Sequence, residues 1–501
     1  MELAITLDNK SDIPLHRQLY EGLRCAILNC RLKPGERVPS TRNLAQSLGV
    51  SRATVTQSYE QLISEGYLQA VIGSGTTVCV QLPDELLRTT PPKAVTVKAK
   101  AKSRDNGKYA PPVRLSRFGA SLDDTQPLEA PEPEAPINFK TGRPALEEFP
   151  LEQWRRLLLR QCRADRVEML DYATSLRGEP ELRKAIADYV SRSRAVRCND
   201  DQIIIINGSQ QAIDLITKVL IDRGDTVAVE NPGYLGARRA FLAQGAELLP
   251  IPVDENGIVV EKLASQTELR SGKTVKLVYV TPSHQFPTGA VLPLARRLEL
   301  LKWAECTGAM IIEDDYDSEF RYGSRPIPAL QGLAETGNVI YVGTFSKVLF
   351  PALRIGYLIV PESLVRVFTR ARWIADRQTP TLEQRALSDF IKEGHLERHL
   401  RRMRILYDKR RQALVRALKL YFEDDAEVLG ENAGMHLMVS LRTKFSDDEI
   451  VQRAAEVGVG LVSAKIYYFD DYHSGQFVLG YAGLSERKIR EGVRRLAKAL
   501  S

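Results

Sequence analysis

The stretch Val339–Pro361, reading VIYVGTFSKVLFPALRIGYLIVP, constrains the fold of this chain most tightly. Its two Ile- and Val-rich runs, Val339–Gly343 and Ile355–Val360, suit strands covered on both faces. The loop between them carries Thr344, Ser346, Lys347 and Arg354. A lysine at the lip of a buried strand is readily held neutral by desolvation, and a neutral amine attacks an aldehyde to form a Schiff base. Hydroxyls at 344 and 346 and a cation at 354 suit a phosphate held beside it. The cofactor that joins an aldehyde to a phosphate is pyridoxal 5'-phosphate. A surface loop with a solvated lysine is the competing reading.

A chain of 501 residues is expected to hold more than one domain. Its 44% hydrophobic and 27% charged residues are ordinary for a folded protein in water. The sequence has no apolar run of about eighteen residues and no signal-peptide pattern at Met1–Lys10, so a cytoplasmic protein without a membrane partner is expected. The six cysteines (25, 30, 79, 162, 198 and 306) form no CxxC pair and read as reduced thiols, mostly buried. A formal charge of +7 is mild for the whole chain.

Residues 1–80 form a first unit. Leu15, Leu19, Leu23, Ala26 and Ile27 recur at helical spacing and predict an amphipathic helix over Pro14–Cys30. Ser40 or Thr41 can cap a helix over Arg42–Leu48, and Gly49 breaks it. Ser51 can cap a third helix, Arg52–Glu65, with Val55, Tyr59, Leu62 and Ile63 on its inner face. Arg52, Thr54, Thr56, Gln57 and Gln61 lie on its outer face. Tyr67–Val80 reads as two short strands around Gly73-Ser74-Gly75. Helix, helix, turn, helix and hairpin make a winged helix-turn-helix, whose polar third helix can reach base edges and phosphates in a major groove. A small helical domain with a solvated face is the alternative. The run PSTRNLAQSLGVSRATVTQSYEQLISEGYL resembles the DNA-binding domain of the GntR superfamily. That resemblance implies contacts to double-stranded promoter DNA from Ser40, Arg42, Ser51, Arg52, Thr54 and the wing near Gly75.

Residues 81–136 read as a proline-rich linker, basic in its first half and acidic in its second, without apolar periodicity. The basic half either adds nonspecific affinity for phosphates or serves only as a solubilising tether. Residues 137–501 alternate apolar strands (Ile203–Ile206, Thr226–Glu230, Leu248–Pro252, Val275–Val280, Met310–Glu313) with helices such as Ala212–Leu220, Leu292–Cys306 and Leu382–Leu418. Such alternation predicts a doubly wound α/β fold on a mainly parallel sheet. A smaller α+β subdomain is expected over about 396–501.

Asn207-Gly208-Ser209-Gln210 follows a strand and opens a helix, where backbone amides bind phosphate well. Tyr234, in ENPGY, can stack on a ring or simply pack. IIEDDYDSEFRY (311–322) crowds carboxylates at the end of a buried strand, where unpaired charge is costly. Asp314 can pair with a protonated pyridine nitrogen and Tyr316 with a ring oxygen. An acidic loop facing solvent, or paired with Arg321 and Arg325, is the alternative. Together, TPSHQFPTG (281–289), EDDYDSEFRY (313–322) and GTFSKVLFPALRIGY (343–357) are similar to fold-type I pyridoxal-phosphate enzymes. The whole chain resembles MocR-type regulators, which join a GntR-like domain to an aminotransferase-like, PLP-transferase-like one.

The resemblance implies Lys347 as the Schiff-base lysine, Asp314 on the pyridine nitrogen, Tyr316 on the phenolate oxygen and Tyr234 stacked on the ring. Gly208, Ser209, Gln210, Thr344, Ser346 and Arg354 would hold the phosphate. Tyr172 would reach the cofactor of a partner subunit in a head-to-tail homodimer. The aminotransferase pattern has Asn where this chain has Phe286, so His284 or Gln285 would substitute. The arginine that clamps a substrate carboxylate in aminotransferases has no counterpart in Gln476–Leu484, which leaves such a clamp and efficient transamination in question. His395 and His399, four apart on a helix, read as structural or solvated, and no metal site is expected. The basic run Arg398–Arg411 reads as a solvated helix face.

The expected function is a pyridoxal-phosphate-dependent DNA-binding regulator that senses an amine, an amino acid or the cofactor itself through Lys347. Such a protein would work in the bacterial cytoplasm, on the nucleoid when bound to DNA. The alternative is a working aminotransferase with an appended DNA-binding domain.

Overall fold

A computed structural model describes residues 5, 7–8, 11–71, 75–82, 114–122, 134–162, 171–172, 175–269, 274–322, 327–470 and 472–501. Its contacts divide the chain into two units, Met1–Pro112 and Val113–Ser501.

In the first unit, α1 (Leu15–Leu28), α2 (Thr41–Leu48) and α3 (Arg52–Ser64) precede the antiparallel pair β1 (Leu68–Val71) and β2 (Gly75–Val78). The hydroxyl of Ser40 accepts from the Asn43 amide, and that of Ser51 from the Thr54 amide, so both expected caps form. Leu19, Leu23, Leu44, Val55, Leu62 and Val78 share one core. The inner face of α3 is Val55, Ser58, Tyr59 and Leu62. Ile63, expected there, is 37% exposed, because it lies about a hundred degrees around the helix from Leu62. Ser58 takes the inward place and donates to the His16 carbonyl at 2.7 Å. Gly73 and Ser74 of the wing, and most of the expected linker, lie outside the described residues. A short helix within that linker, Arg117–Ser121, is capped by Ser116.

The second unit opens with β3 (Ile137–Asn138). Its main sheet contains β4 (Ile203–Ile206), β5 (Thr226–Asn231), β6 (Glu247–Asp254), β7 (Gly257–Ile258), β8 (Val275–Val280), β9 (Met310–Asp315), β10 (Val339–Thr344) and β11 (Gly356–Ile359). The order is β4-β11-β10-β9-β8-β5-β6-β7. Neighbours from β10 through β6 are parallel, β11 runs antiparallel to both β10 and β4, and β7 runs antiparallel to β6. Alternate residues of β4 enter cores on opposite faces, Ile203 and Ile205 on one and Ile204 and Ile206 on the other. That is the signature of a sheet buried on both sides.

The expected helix Leu382–Leu418 is two helices, Thr381–Lys392 and His395–Phe422. Gly394 separates them in a left-handed conformation (φ +70°) that the apolar periodicity does not reveal. The smaller sheet joins β12 (Ala426–Leu429), β13 (His436–Leu441), β15 (Val462–Ser463) and β16 (Gln476–Gly480), while β14 (Val459–Gly460) pairs with β3. Among the described residues no helix is long and apolar enough to cross a membrane.

Candidate functional site

The turn from β10 to β11 opens into a cavity of about 730 Å³. Its walls come from the ends of β8, β9 and β10, from the starts of the helices Ser209–Leu220 and Leu235–Gln244, and from Lys140–Gly142 after β3. Met435, His436, Val462 and Tyr467 close it from the smaller sheet. Of the residues singled out in the sequence, Lys347, Asp314, Tyr316, Tyr234, Ser209, Gln210, Thr344, Ser346 and Arg354 line this one space. The Lys347 amine donates to the Gly142 carbonyl at 3.1 Å.

Gly208 sits at the same corner with φ +90°, and a Cβ there would meet the Arg354 guanidinium at 2.9 Å. Glycine thus lets the arginine approach the helix start, and its Nη2 donates to the Asn207 carbonyl at 2.7 Å. The Ser346 hydroxyl is buried without a protein partner, as is Asp314 Oδ1. Asp314 Oδ2 receives the Tyr279 hydroxyl at 2.6 Å. Burial pushes the Asp314 carboxyl up to about 7, against the Tyr279 hydrogen bond and with the help of Asp315 and Asp317. An orphaned serine hydroxyl beside a cation and a glycine-opened helix start fits a phosphate. A half-satisfied carboxylate at the far wall fits a cationic ring N–H. The residues present therefore fit pyridoxal phosphate.

One consequence is a pH dependence. A carboxyl whose pKa is raised by folding costs nothing below its ordinary value near 3.8, and costs progressively more as pH climbs to about 7. The cofactor-free protein should therefore lose stability over that window, and Asp314→Asn should flatten the slope in urea titrations run from pH 4 to 7. An unchanged slope would mean that folding does not raise the Asp314 carboxyl above its ordinary value.

The other carboxylates of the acidic run are sorted by their neighbours. Glu313 accepts from the Leu330 and Gln331 amides, Asp315 pairs with Arg194 and Glu319 takes the Tyr189 hydroxyl. Asp317 bonds His284, whose Nδ1 lies 3.0 Å from Asp317 Oδ2. His284 does not line the cavity. Its ring sits behind Tyr316, and the Tyr316 hydroxyl donates to the His284 carbonyl at 2.9 Å. Gln285 is also engaged elsewhere, donating to the Pro232 carbonyl at 2.8 Å, and Phe286 itself faces the cavity.

Tyr172 lies outside this space, 63% exposed under the Arg377 guanidinium at 3.8 Å. The two arginines after Tyr234 diverge. Arg238 covers the Phe469 ring at 3.6 Å, whereas Arg239 lines the cavity. Burial, then Arg402, pushes His399 down to about 4, and His395 contacts Glu393. Arg410 and Arg411 of the basic run pair with Glu147, Asp408 and Glu431. In the first unit Ser40, Arg42, Ser51, Arg52 and Gly75 are exposed, and half-buried Thr54 places its hydroxyl 2.8 Å from that of Ser51.

Sequence reasoning missed Tyr279, Thr281, Phe286, Asp317, His436 and Tyr467 as cavity residues. Tyr279 was within reach, since it stands at the end of a strand adjacent to that of Asp314. His436 and Tyr467 carry no local signal, because they reach the cavity from the smaller sheet.

Residues 134–496 match the family described as aminotransferase class I and II, and residues 15–78 match bacterial regulatory proteins of the gntR family. The chain is 40% identical to the probable rhizopine catabolism regulatory protein MocR of Rhizobium meliloti, over 99% of this chain and 95% of that one. It is 30% identical to the pyridoxine biosynthesis transcriptional regulator PdxR of Corynebacterium glutamicum, over 100% of this chain and 99% of that one. Among solved structures it is similar to the α-aminoadipate aminotransferase LysN of Thermus thermophilus, complexed with N-(5'-phosphopyridoxyl)-L-leucine. The TM-score is 0.67 at 31% identity, covering 77% of this chain and 95% of that one.

Proposed function

We propose, from the premise that this chain belongs to the class I and II aminotransferase family and carries a gntR-family regulatory domain in the MocR arrangement, that an amine or amino acid entering its cavity changes its grip on promoter DNA. The protein is a pyridoxal-phosphate-dependent DNA-binding regulator. The observation that carries the sensing half is the meeting of Lys347, half-satisfied Asp314 and the Ser209–Ser346–Arg354 corner in one cavity.

Bound pyridoxal phosphate supplies an aldehyde that condenses reversibly with amines. Lys347 holds that aldehyde, and Asp314 keeps a proton on the ring nitrogen. Tyr316 meets the ring oxygen and Tyr234 covers the ring face. Gly208, Ser209, Gln210, Thr344, Ser346 and Arg354 hold the phosphate. An effector amine would enter the cavity beside Lys347. It alters DNA affinity to the extent that it binds two arrangements of the protein differently. The chain forms a head-to-tail homodimer in which Tyr172 reaches the partner's cofactor, and it works in the cytoplasm on the nucleoid. Ser40, Arg42, Ser51, Arg52, Thr54 and Gly75 meet the DNA. The domain limits are 1–80, 81–136 and 137–501.

The test is anisotropy of labelled promoter fragments with the full chain. Wild type should prefer its own promoter over random duplex. Arg52→Ala should weaken that binding by about tenfold, the range of one lost groove contact. Equal affinity for promoter and random duplex would sink the regulatory reading.

A further inference from the structure

We propose that His436 reads the effector: its open Nδ1 selects an amine that carries a hydroxyl, or another hydrogen-bond donor, away from the reacting nitrogen. This rests on the sensing role proposed above and names the chemistry of the molecule sensed.

His436 opens β13, is 1% exposed and lines the cavity. Its Nε2 lies 3.2 Å from the Pro287 carbonyl. A carbonyl only accepts, so Nε2 carries the hydrogen. Burial, then the neighbouring His284 and Lys347, disfavours a second proton on the ring. Nδ1 is then a lone-pair acceptor, and no protein donor meets it among the described residues. The ring of His284 packs behind it at 4.6 Å. There Nδ1 faces the Asp317 carboxylate, which places the hydrogen on Nδ1 and leaves Nε2 buried without a partner. The His436 Nδ1 and the partnerless His284 Nε2 thus stand one behind the other at this wall.

Phe286 lies 5.4 Å from the His436 ring and 4.9 Å from Tyr467, both edge-on, so this part of the cavity presents aromatic carbon. Such a wall packs against hydrocarbon, and beside it both His436 Nδ1 and the Asp317 carboxylate call for a donor. A carboxylate placed here would bring an acceptor against a lone pair. Swapping the tautomer would only move the conflict, since an unprotonated Nε2 would then face the Pro287 carbonyl. Lys140 and Arg239 also line the cavity, so an anionic group has other places to sit. Sites that hydrogen-bond a substrate hydroxyl discriminate strongly against analogues that lack it, because the buried partner is then left unpaired.

The experiment uses the full-length cofactor-loaded protein and follows the visible band of the lysine-bound cofactor during amine titrations. The probes are matched pairs, 3-amino-1-propanol against n-butylamine and trans-4-aminocyclohexanol against cyclohexylamine. Wild type should respond to the hydroxylated member at about tenfold lower concentration in at least one pair. His436→Leu should erase that ratio, and His436→Gln, which keeps an acceptor, should retain most of it. Reading a ratio within each variant removes any general loss of affinity. Equal or reversed ratios in wild type, or a preference that survives in His436→Leu, would overturn the proposal. A wild type with no lysine-dependent band would instead refute the sensing role on which it rests.

Discussion

Lys347→Ala is expected to abolish the visible absorption band of the cofactor-loaded protein and any cofactor trapping by borohydride. Retention of pyridoxal phosphate should fall by about a hundredfold or more, the equivalent of ~3 kcal/mol. The covalent link would be gone, and only contacts to the phosphate and ring would remain. The effect on folding should be small. The lysine donates a hydrogen bond to the Gly142 carbonyl, and such a bond contributes about 1 kcal/mol. Urea midpoints of the cofactor-free proteins should therefore nearly coincide while their spectra differ completely. Borohydride-fixed cofactor in the variant would shift the chemistry to another amine, and Lys140 is the other lysine lining the cavity.

Arg194→Met should destabilise the second unit by about 3–5 kcal/mol, the range for an ion pair broken in a protein interior. Both partners are buried, with Arg194 Nε 2.8 Å from Asp315 Oδ2. The same guanidinium donates to the Ile327 carbonyl at 3.0 Å and to the Ser283 hydroxyl at 2.5 Å. Methionine fills the volume but leaves Asp315 supported mainly by the Tyr341 hydroxyl at 2.5 Å. Burial alone would raise the Asp315 carboxyl, yet Arg194 and that hydroxyl hold it below its usual range. Stability from the pair is therefore present above pH 4 and is lost as pH falls through the depressed value. The variant's deficit should accordingly be large at pH 7 and shrink in acid. The exposed pair Arg155–Glu152 serves as the contrast, since solvent screens it and its removal should move the urea midpoint far less. Equal urea midpoints for wild type and Arg194→Met would show that Asp315 does not depend on its partner.

Much of the architecture was legible in residue order. Ile203–Ile206 and Val275–Val280 are strands at the bounds that their apolar runs suggest, and Ser51 caps α3 as its position implies. These features are local, since a run of β-branched residues, or a hydroxyl three residues before a free amide, acts over one or two turns of chain. The Lys347 loop was equally readable, because its hydroxyls, amine and guanidinium fall between two recognisable strands.

The division of labour among the five carboxylates of Glu313–Glu319 was not local. They read as one acidic cluster, yet Glu313 is consumed by a helix start, Asp315 by Arg194 from a distant helix, and Glu319 by Tyr189. Asp314 and Asp315 each keep one buried oxygen without a partner, but of the two only Asp314 lines the cavity, and Asp317 is spent on His284. The wall that His436, Phe286 and Tyr467 build likewise depends on the smaller sheet closing over the main one. Spacing and polarity along the chain determined the helix-turn-helix, the strands and the lysine loop. Which charges are paired, which stay open and what the cavity asks of a ligand were decided by tertiary structure. The cost of burying a polar group depends on partners supplied from elsewhere in the fold.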